Sequence, residues 1–305
     1  MLGKQEFEQI LKREDIKNFL LNNSSKEAIE KAFGEKVANM KDYDQNNPNH
    51  QYDLLEHTIE VMEGLPKEKY LPEDYKTLRI AAFFHDIGKP EVAKEKDGKT
   101  VYYRHAEKSK EISVDILQEM GYTESEIDRI LFFVQHHDDF INVSTIDDKT
   151  VEKVSKILEK MKSAEYVPTN KDQMMLLDLC RADVQAQSEV IEENGEIKDT
   201  RKDRLDRYNK IEALLPEARV YKQVKDIEDQ ISRCEKELEK LTTPPNPIVK
   251  QGRTVNQKQL DMWEEWASKP EDEKEEVIGK IQSEIDDAKR RKSEILDSIN
   301  QEIEQ

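Results

Sequence analysis

Glycine fills only 9 of the 305 positions, which leaves little room for tight hairpin turns and points to an all-α fold. Cysteine is rarer still: Cys180 and Cys234 each fall within a helical pattern and read as reduced packing residues of a cytoplasmic protein, not as a disulfide framework. No stretch approaches the roughly 18 apolar residues of a membrane span. The opening residues Met1-Leu2-Gly3-Lys4-Gln5-Glu6 lack the apolar region of a signal peptide, so neither membrane insertion nor export is expected. Positive charge is in deficit, with 49 Lys and Arg against 67 Asp and Glu, a net −18. Such an acidic surface argues against a broad nucleic-acid interface while leaving room for a locally basic pocket. Histidine is missing from more than half of the chain; all six lie between His50 and His137.

What is present is charge and helical periodicity. Charged residues make up 38% and hydrophobic ones 35%, the balance of a helical protein with long solvated faces. Residues 1–45 read as two or three short amphipathic helices, a helical N-terminal extension ended by the turn-rich run from Asp42 to His50. A central domain is expected over residues 46–215. Its first helix starts after Asp53, with Glu56 in capping-box position, and carries His57. The next spans about Asp74 to Ile87 and stops at Gly88-Lys89-Pro90, read as a C-cap glycine followed by a breaker. Residues 91–104 hold the one expected small hairpin or extended loop. Helices follow at about 106–120, 124–138, 149–162 and 171–190, with Thr123 and Glu126 forming a second capping box. Residues 216–305 read as a long antiparallel helical hairpin. Val224, Ile227, Ile231, Cys234, Leu238 and Leu241 form one stripe; Ile278, Ile281, Ile285, Ala288, Ile295 and Ile299 form the other, interrupted by Lys292. These stripes could instead pair with a second chain, making a homo-oligomer. The polar connection between them carries Trp263, Trp266 and a small basic island at Lys250, Arg253 and Lys258.

Helical phase singles out the candidate site. Leu54, Thr58 and Val61 define the face on which His57 lies. Leu78, Ala81 and Ala82 lead at helical spacing to His85; Ile130, Phe133 and Val134 lead to His137; Leu176, Leu179 and Cys180 lead to Asp183. One inward imidazole is commonly a hydrogen-bonded core residue. Four inward polar groups need mutual partners, because burying them unpaired costs several kcal/mol. A bound cation would satisfy them together, and imidazole with carboxylate is a suitable donor set for a divalent metal. Phase selects Asp183 over Asp178.

The ordered pattern His57, His85-Asp86, His105, His136-His137 and Asp183 resembles the signature of the HD-domain metal-dependent phosphohydrolases over about residues 45–190. The run Ile80-Ala81-Ala82-Phe83-Phe84-His85-Asp86-Ile87-Gly88-Lys89-Pro90 looks like the helix and turn that give the family its name. Within it, His105 with Ser109, and Arg181-Ala182-Asp183 with Ala186-Gln187, look closest to the HD domain of bacterial CCA-adding tRNA nucleotidyltransferases. The nucleotidyltransferase head itself has no counterpart in residues 1–45, so nucleotide addition is not implied.

The resemblance implies an HD-domain helical core in which His57, His85, Asp86 and Asp183 hold a first metal. Asp86 would bridge to a second, held by His105 with His136, His137 or both; phase favours His137. One or two ions of Mn, Fe, Co, Ni, Zn or Mg would serve. Asp86 and Lys89 are the candidate catalytic residues, and Lys89 and Arg104 the candidate phosphate contacts, each also readable as a solvated helix-end cation. Asp178, Asp138 and Asp139 could support the ligand histidines. The implied activity is hydrolysis of a phosphomonoester or phosphodiester by metal-activated water. The substrate would be a nucleotide, another phosphorylated small molecule or an RNA end, with activity of 2′,3′-cyclic phosphodiesterase, nucleotidase or phosphatase type. The alternatives are an HD-fold di-iron oxygenase and a non-enzymatic, metal-stabilised binding or assembly module.

Overall fold

A computed structural model describes residues 1–46, 51–96, 98–188, 190–191, 197–198, 200–250, 253–254 and 256–303; His50 and the side chains of Lys250 and Arg253 lie outside the described residues. The chain divides into two compact units, Met1–Leu214 and Leu215–Gln305.

The first unit opens with α1 (Lys4–Leu11), α2 (Lys26–Phe33) and α3 (Glu35–Ala38). Phe7 of α1 is fully buried, with ring centroids 5.4 Å from Phe83, 5.7 Å from Phe84 and 6.0 Å from Phe33. The expected extension therefore contributes to this unit's core, and it does so directly behind the His85-Asp86 turn. Helices α4 (Leu54–Glu63), α5 (Pro72–Phe84) and the short α6 (Lys89–Val92) follow, then the β1–β2 hairpin (Lys94–Lys96, Lys99–Val101), α7 (His105–Met120), α8 (Glu124–His136), α9 (Thr150–Lys160) and α10 (Asn170–Gln185). Local sequence sets several of these starts. Asp53 accepts from Glu56 N at 2.8 Å to cap α4, and the Thr123–Glu126 capping box is formed at α8. Helix α5 packs on α4 and α8, and α10 on α4, so their apolar faces share one core. An ion network fixes the far ends of these helices. Arg129 Nη2 of α8 lies 2.7 Å from Asp74 of α5 and 2.8 Å from Asp172 of α10, and Lys171 reaches Asp74 at 2.7 Å.

Two further hairpins, β3–β4 (Val190–Ile191, Ile197–Lys198) and β5–β6 (Val249–Lys250, Arg253–Thr254), join the single one expected. With two residues per strand they leave the fold all-α. Helix α11 (Thr200–Thr242) contributes to both units and holds Pro216 near the division between them. In the second unit the connection carrying the tryptophans is partly helical, as α12 (Gln257–Ala267), and Trp266 Nε1 donates to Leu241 O at 2.8 Å. The last helix, α13 (Glu271–Ile303), runs antiparallel to the end of α11. Glu228 pairs with Lys292 at 2.6 Å and Glu235 with Lys289 at 3.3 Å, so partner numbers fall as α11 advances. Ile227, Ile281, Ile285, Ala288 and Ile299 are buried in this unit. Lys292, which breaks the apolar stripe, is the residue that reaches Glu228. Among the described residues no helix is long and apolar enough to cross a membrane.

Candidate metal centre

The site forms where helix ends meet. His57 sits mid-way along α4, Asp183 near the end of α10, and His105 is the first residue of α7. His85 and His137 are the C-cap residues of α5 and α8, one position past the regular helix but still in right-handed helical conformation. Their rings use the carbonyls that a helix end leaves without an intrahelical partner. His85 Nδ1 lies 2.7 Å from Ala82 O and His137 Nδ1 lies 2.8 Å from Val134 O. His105 makes the same contact with Tyr102 O at 2.9 Å. A carbonyl only accepts, so in each ring Nδ1 carries the proton and Nε2 presents its lone pair inward.

Two groups result. His57, His85 and Asp183 form one, and Asp86, His105 and His137 the other; within each, the donor atoms lie within 4.8 Å of one another. Asp86 faces both. Its Oδ2 is 3.1 Å from His85 Nε2 and 3.6 Å from His57 Nε2, while Oδ1 is 3.3 Å from His105 Nε2 and 3.7 Å from His137 Nε2. Asp183 Oδ1 closes the first group at 3.1 Å from His57 Nε2. Asp86 and the rings of His57, His85 and His137 are buried, whereas Asp183 is 21% and His105 15% exposed, which marks the side open to solvent.

The donor set fits a divalent cation. His105 Nε2 and His137 Nε2 stand 3.0 Å apart with both lone pairs turned toward each other, a repulsive contact unless positive charge is shared between them. His85 Nε2 and Asp86 Oδ1 are buried with no hydrogen-bond partner. Electrostatics agree. Burial pushes the Asp86 carboxyl up, but the adjacent His85 and Lys89, with the nearby His105 and His57, hold it well below the usual carboxylate range. Asp183 is depressed likewise, burial being outweighed by the hydrogen bond and charge of His57. Burial and the neighbouring His105 lower the pKa of His137. Both carboxylates are thus ionised and His137 neutral, the forms that ligate metal.

Gly88 joins the two groups. It does not serve as the C-cap glycine of α5, since that helix ends at Phe84 with His85 as its C-cap, and the φ of Gly88 is −81°. Close approach is what requires glycine here, since a Cβ would lie 2.5 Å from Ser109 N and 2.8 Å from His105 O. Gly88 N donates to Ser109 Oγ at 2.9 Å, pinning the His85-Asp86 turn to the first turns of α7. Lys89 is 6% exposed, so the reading of a solvated helix-end lysine fails. Its Nζ lies 2.6 Å from Asp86 Oδ2 and 2.9 Å from Gln45 Oε1.

Other candidates are placed elsewhere. His136 turns away from both groups; its Nδ1 is 2.7 Å from Asp139 Oδ2, and its ring packs on Phe132. The two adjacent histidines project differently because successive helical residues are separated by about 100°. Arg104 has φ 62°, an 81% exposed side chain and an ion pair with Glu107 at 3.6 Å, so it lies outside the cluster. Asp178 accepts from Tyr70 and pairs with Lys69 and Arg181, supporting none of the ligand rings. Asp138 Oδ2 stands 3.9 Å from His105 Nε2 at the open side. Sequence reasoning missed Gln45, which is buried and holds Lys89, and Tyr102, whose hydroxyl donates to Gln45 O at 2.7 Å. Both lie in turn-rich segments without periodicity. Gln187, one helical turn after Asp183, donates to Asp183 Oδ2 at 3.3 Å, and that i+4 spacing was a legible signal.

Comparison with known families gives one match, to the HD domain, over residues 54–224. No curated protein matches the chain. The match does not extend to the narrower likeness to CCA-adding enzymes. It covers more than half of the chain and every residue of both donor groups, and HD domains are in general metal-dependent phosphohydrolases, so hydrolase is the class of activity implied. This chain belongs to the HD-domain family.

Proposed function

We propose that the protein hydrolyses a phosphomonoester or phosphodiester of a nucleotide or RNA end, with two divalent ions. The observation that carries this reading is the position of Asp86, whose two carboxylate oxygens face separate histidine groups. His57, His85, Asp183 and Asp86 Oδ2 would hold one ion; His105, His137 and Asp86 Oδ1 would hold the other. Bound there, the ions supply an activated water near neutral pH and neutralise charge on the phosphoryl oxygens. The chain's own contribution is preorganisation. The carbonyls of Ala82, Tyr102 and Val134 fix the tautomers of three ligand rings before any ion arrives. Lys89, held by Gln45 and Asp86, places an ammonium group where a phosphoryl oxygen would meet it. Asp183 and His105 lie at the open edge, so substrate would approach from their side.

The test is metal content paired with turnover. Wild-type protein loaded with manganese should carry two ions and hydrolyse bis-p-nitrophenyl phosphate, and the His85→Ala, Asp86→Ala double variant should lose both properties. Equal metal in the two proteins would sink the site assignment. Two irons with oxygen uptake and no phosphoester hydrolysis would replace the hydrolase with an oxygenase.

A further inference from the structure

The first unit holds a cavity of about 750 Å³ between the loop at Ser144 and Thr145 and the start of α11. Its α11 wall presents Arg204, Arg207 and Lys210, with Asp203 and Asp206 between them. The balance is one net positive charge, in a chain whose net charge is −18. Arg207 is already used, since its Nη1 donates to Ser144 O at 2.6 Å and ties the loop to the helix. Arg204 is different: its guanidinium is half-buried, has no ion-pair or hydrogen-bond partner among the described residues, and its Nε is fully shielded from water. A shielded guanidinium donor with no acceptor is costly, and an anion would supply the acceptor.

The cavity is joined to the metal centre along the chain. Its loop follows His137 directly through the short helical turn Asp139–Asn142. Tyr208, buried one helical turn after Arg204, links the two. Burial, with Cys180 and Asp183 nearby, pushes its phenol pKa up, while Arg204 and Arg207 oppose the rise. One hydroxyl thus lies in the field of both the metal-side carboxylate and the cavity's guanidinium groups.

We infer that this cavity is a phosphate subsite, which accepts a second phosphate of the molecule whose scissile phosphoryl group sits at the paired donor groups. The assignment of that phosphate to the substrate rests on the phosphohydrolase reading; the anion site itself does not. The substrate class is then a nucleotide or RNA end with two separated phosphates. Arg204 is the principal contact, through charge-assisted hydrogen bonds, with Lys210 and the hydroxyls of Ser144 and Thr145 completing the shell.

The full-length protein is titrated with inorganic pyrophosphate in excess EDTA, so that bound metal contributes nothing, and binding is followed by calorimetry. Wild type should bind saturably. Arg204→Gln should weaken binding at least tenfold with an unchanged circular dichroism spectrum, and Arg204→Lys should restore part of it. Absence of wild-type binding, or equal binding by Arg204→Gln, overturns the site. In the manganese-loaded enzyme a nucleoside 3′,5′-bisphosphate should show a KM at least tenfold below that of the monophosphate, and Arg204→Gln should raise that KM more than it lowers kcat. Equal KM values would overturn the substrate assignment. Pyrophosphate binding without any phosphoester hydrolysis would end the activity reading and leave the anion site standing.

Discussion

Replacing Gly88 with alanine should damage the protein far more than a methyl group's size suggests. The added Cβ would lie 2.5 Å from Ser109 N and 2.8 Å from both His105 O and Lys108 C. All three are backbone atoms of α7, so no rotamer change relieves the clash. Forcing extra carbon into a packed interface costs about 1–3 kcal/mol. Separating the turn from α7 also strains the Gly88 N to Ser109 Oγ hydrogen bond, worth about 1 kcal/mol. A total loss of about 2–4 kcal/mol should lower the first unit's melting temperature by roughly 5–15 °C. The displaced turn carries Asp86 away from His105, so the manganese content should fall from two ions toward one. Calorimetry and elemental analysis read the two effects separately. Gly279→Ala is the contrast: Gly279 is exposed within α13, a Cβ there meets nothing within 4 Å, and helix propensity should stabilise it by about 1 kcal/mol. Wild-type stability and metal content in Gly88→Ala would refute the claim that backbone contact between the turn and α7 holds the two donor groups together.

His137→Ala should remove one ion, whereas His136→Ala should keep both and cost about 2 kcal/mol in urea denaturation, by leaving buried Asp139 short of its imidazole partner; loss of metal from His136→Ala would reverse their roles. Arg129→Met removes the cation shared by Asp74 and Asp172, but Asp74 keeps Lys171 and Asp172 keeps Tyr166 and Thr169, so the cost should be about 1–3 kcal/mol, read by the same denaturation midpoint. Burial raises the pKa of Glu126, but the hydrogen bond from Lys4 and those at Thr123 bring it down to about 2. Its folded pKa is below the unfolded value of 4.5, so the stabilisation is full above pH 4.5 and is lost as pH falls toward 2. Glu126 is 37% exposed, and after solvent screening the contribution is about 1 kcal/mol. Lys4→Ala should therefore trail wild type by up to that amount at pH 7 and match it near pH 2, and a gap that persists in acid would refute the linkage.

The order of helices, the caps at Asp53 and Thr123, and the inward phase of His57, His85, His137 and Asp183 were all legible in the chain, because hydrophobic periodicity and capping are local properties. The same local information could not separate His136 from His137 with certainty, since both flank the end of one helix and their surroundings come from α7 and from Asp139. Nor could it show that Lys89 is buried, because Gln45 and Tyr102 reach it from distant turns. Gly88 illustrates the limit most clearly. Its sequence context matched a helix cap, and only the approach of α7 shows that the missing side chain makes room for another backbone. What the sequence by itself determined was which residues face inward along each helix. The tertiary structure decided which of them meet, because the distance between donor atoms depends on how helices far apart in the chain pack, and that is fixed by the whole core.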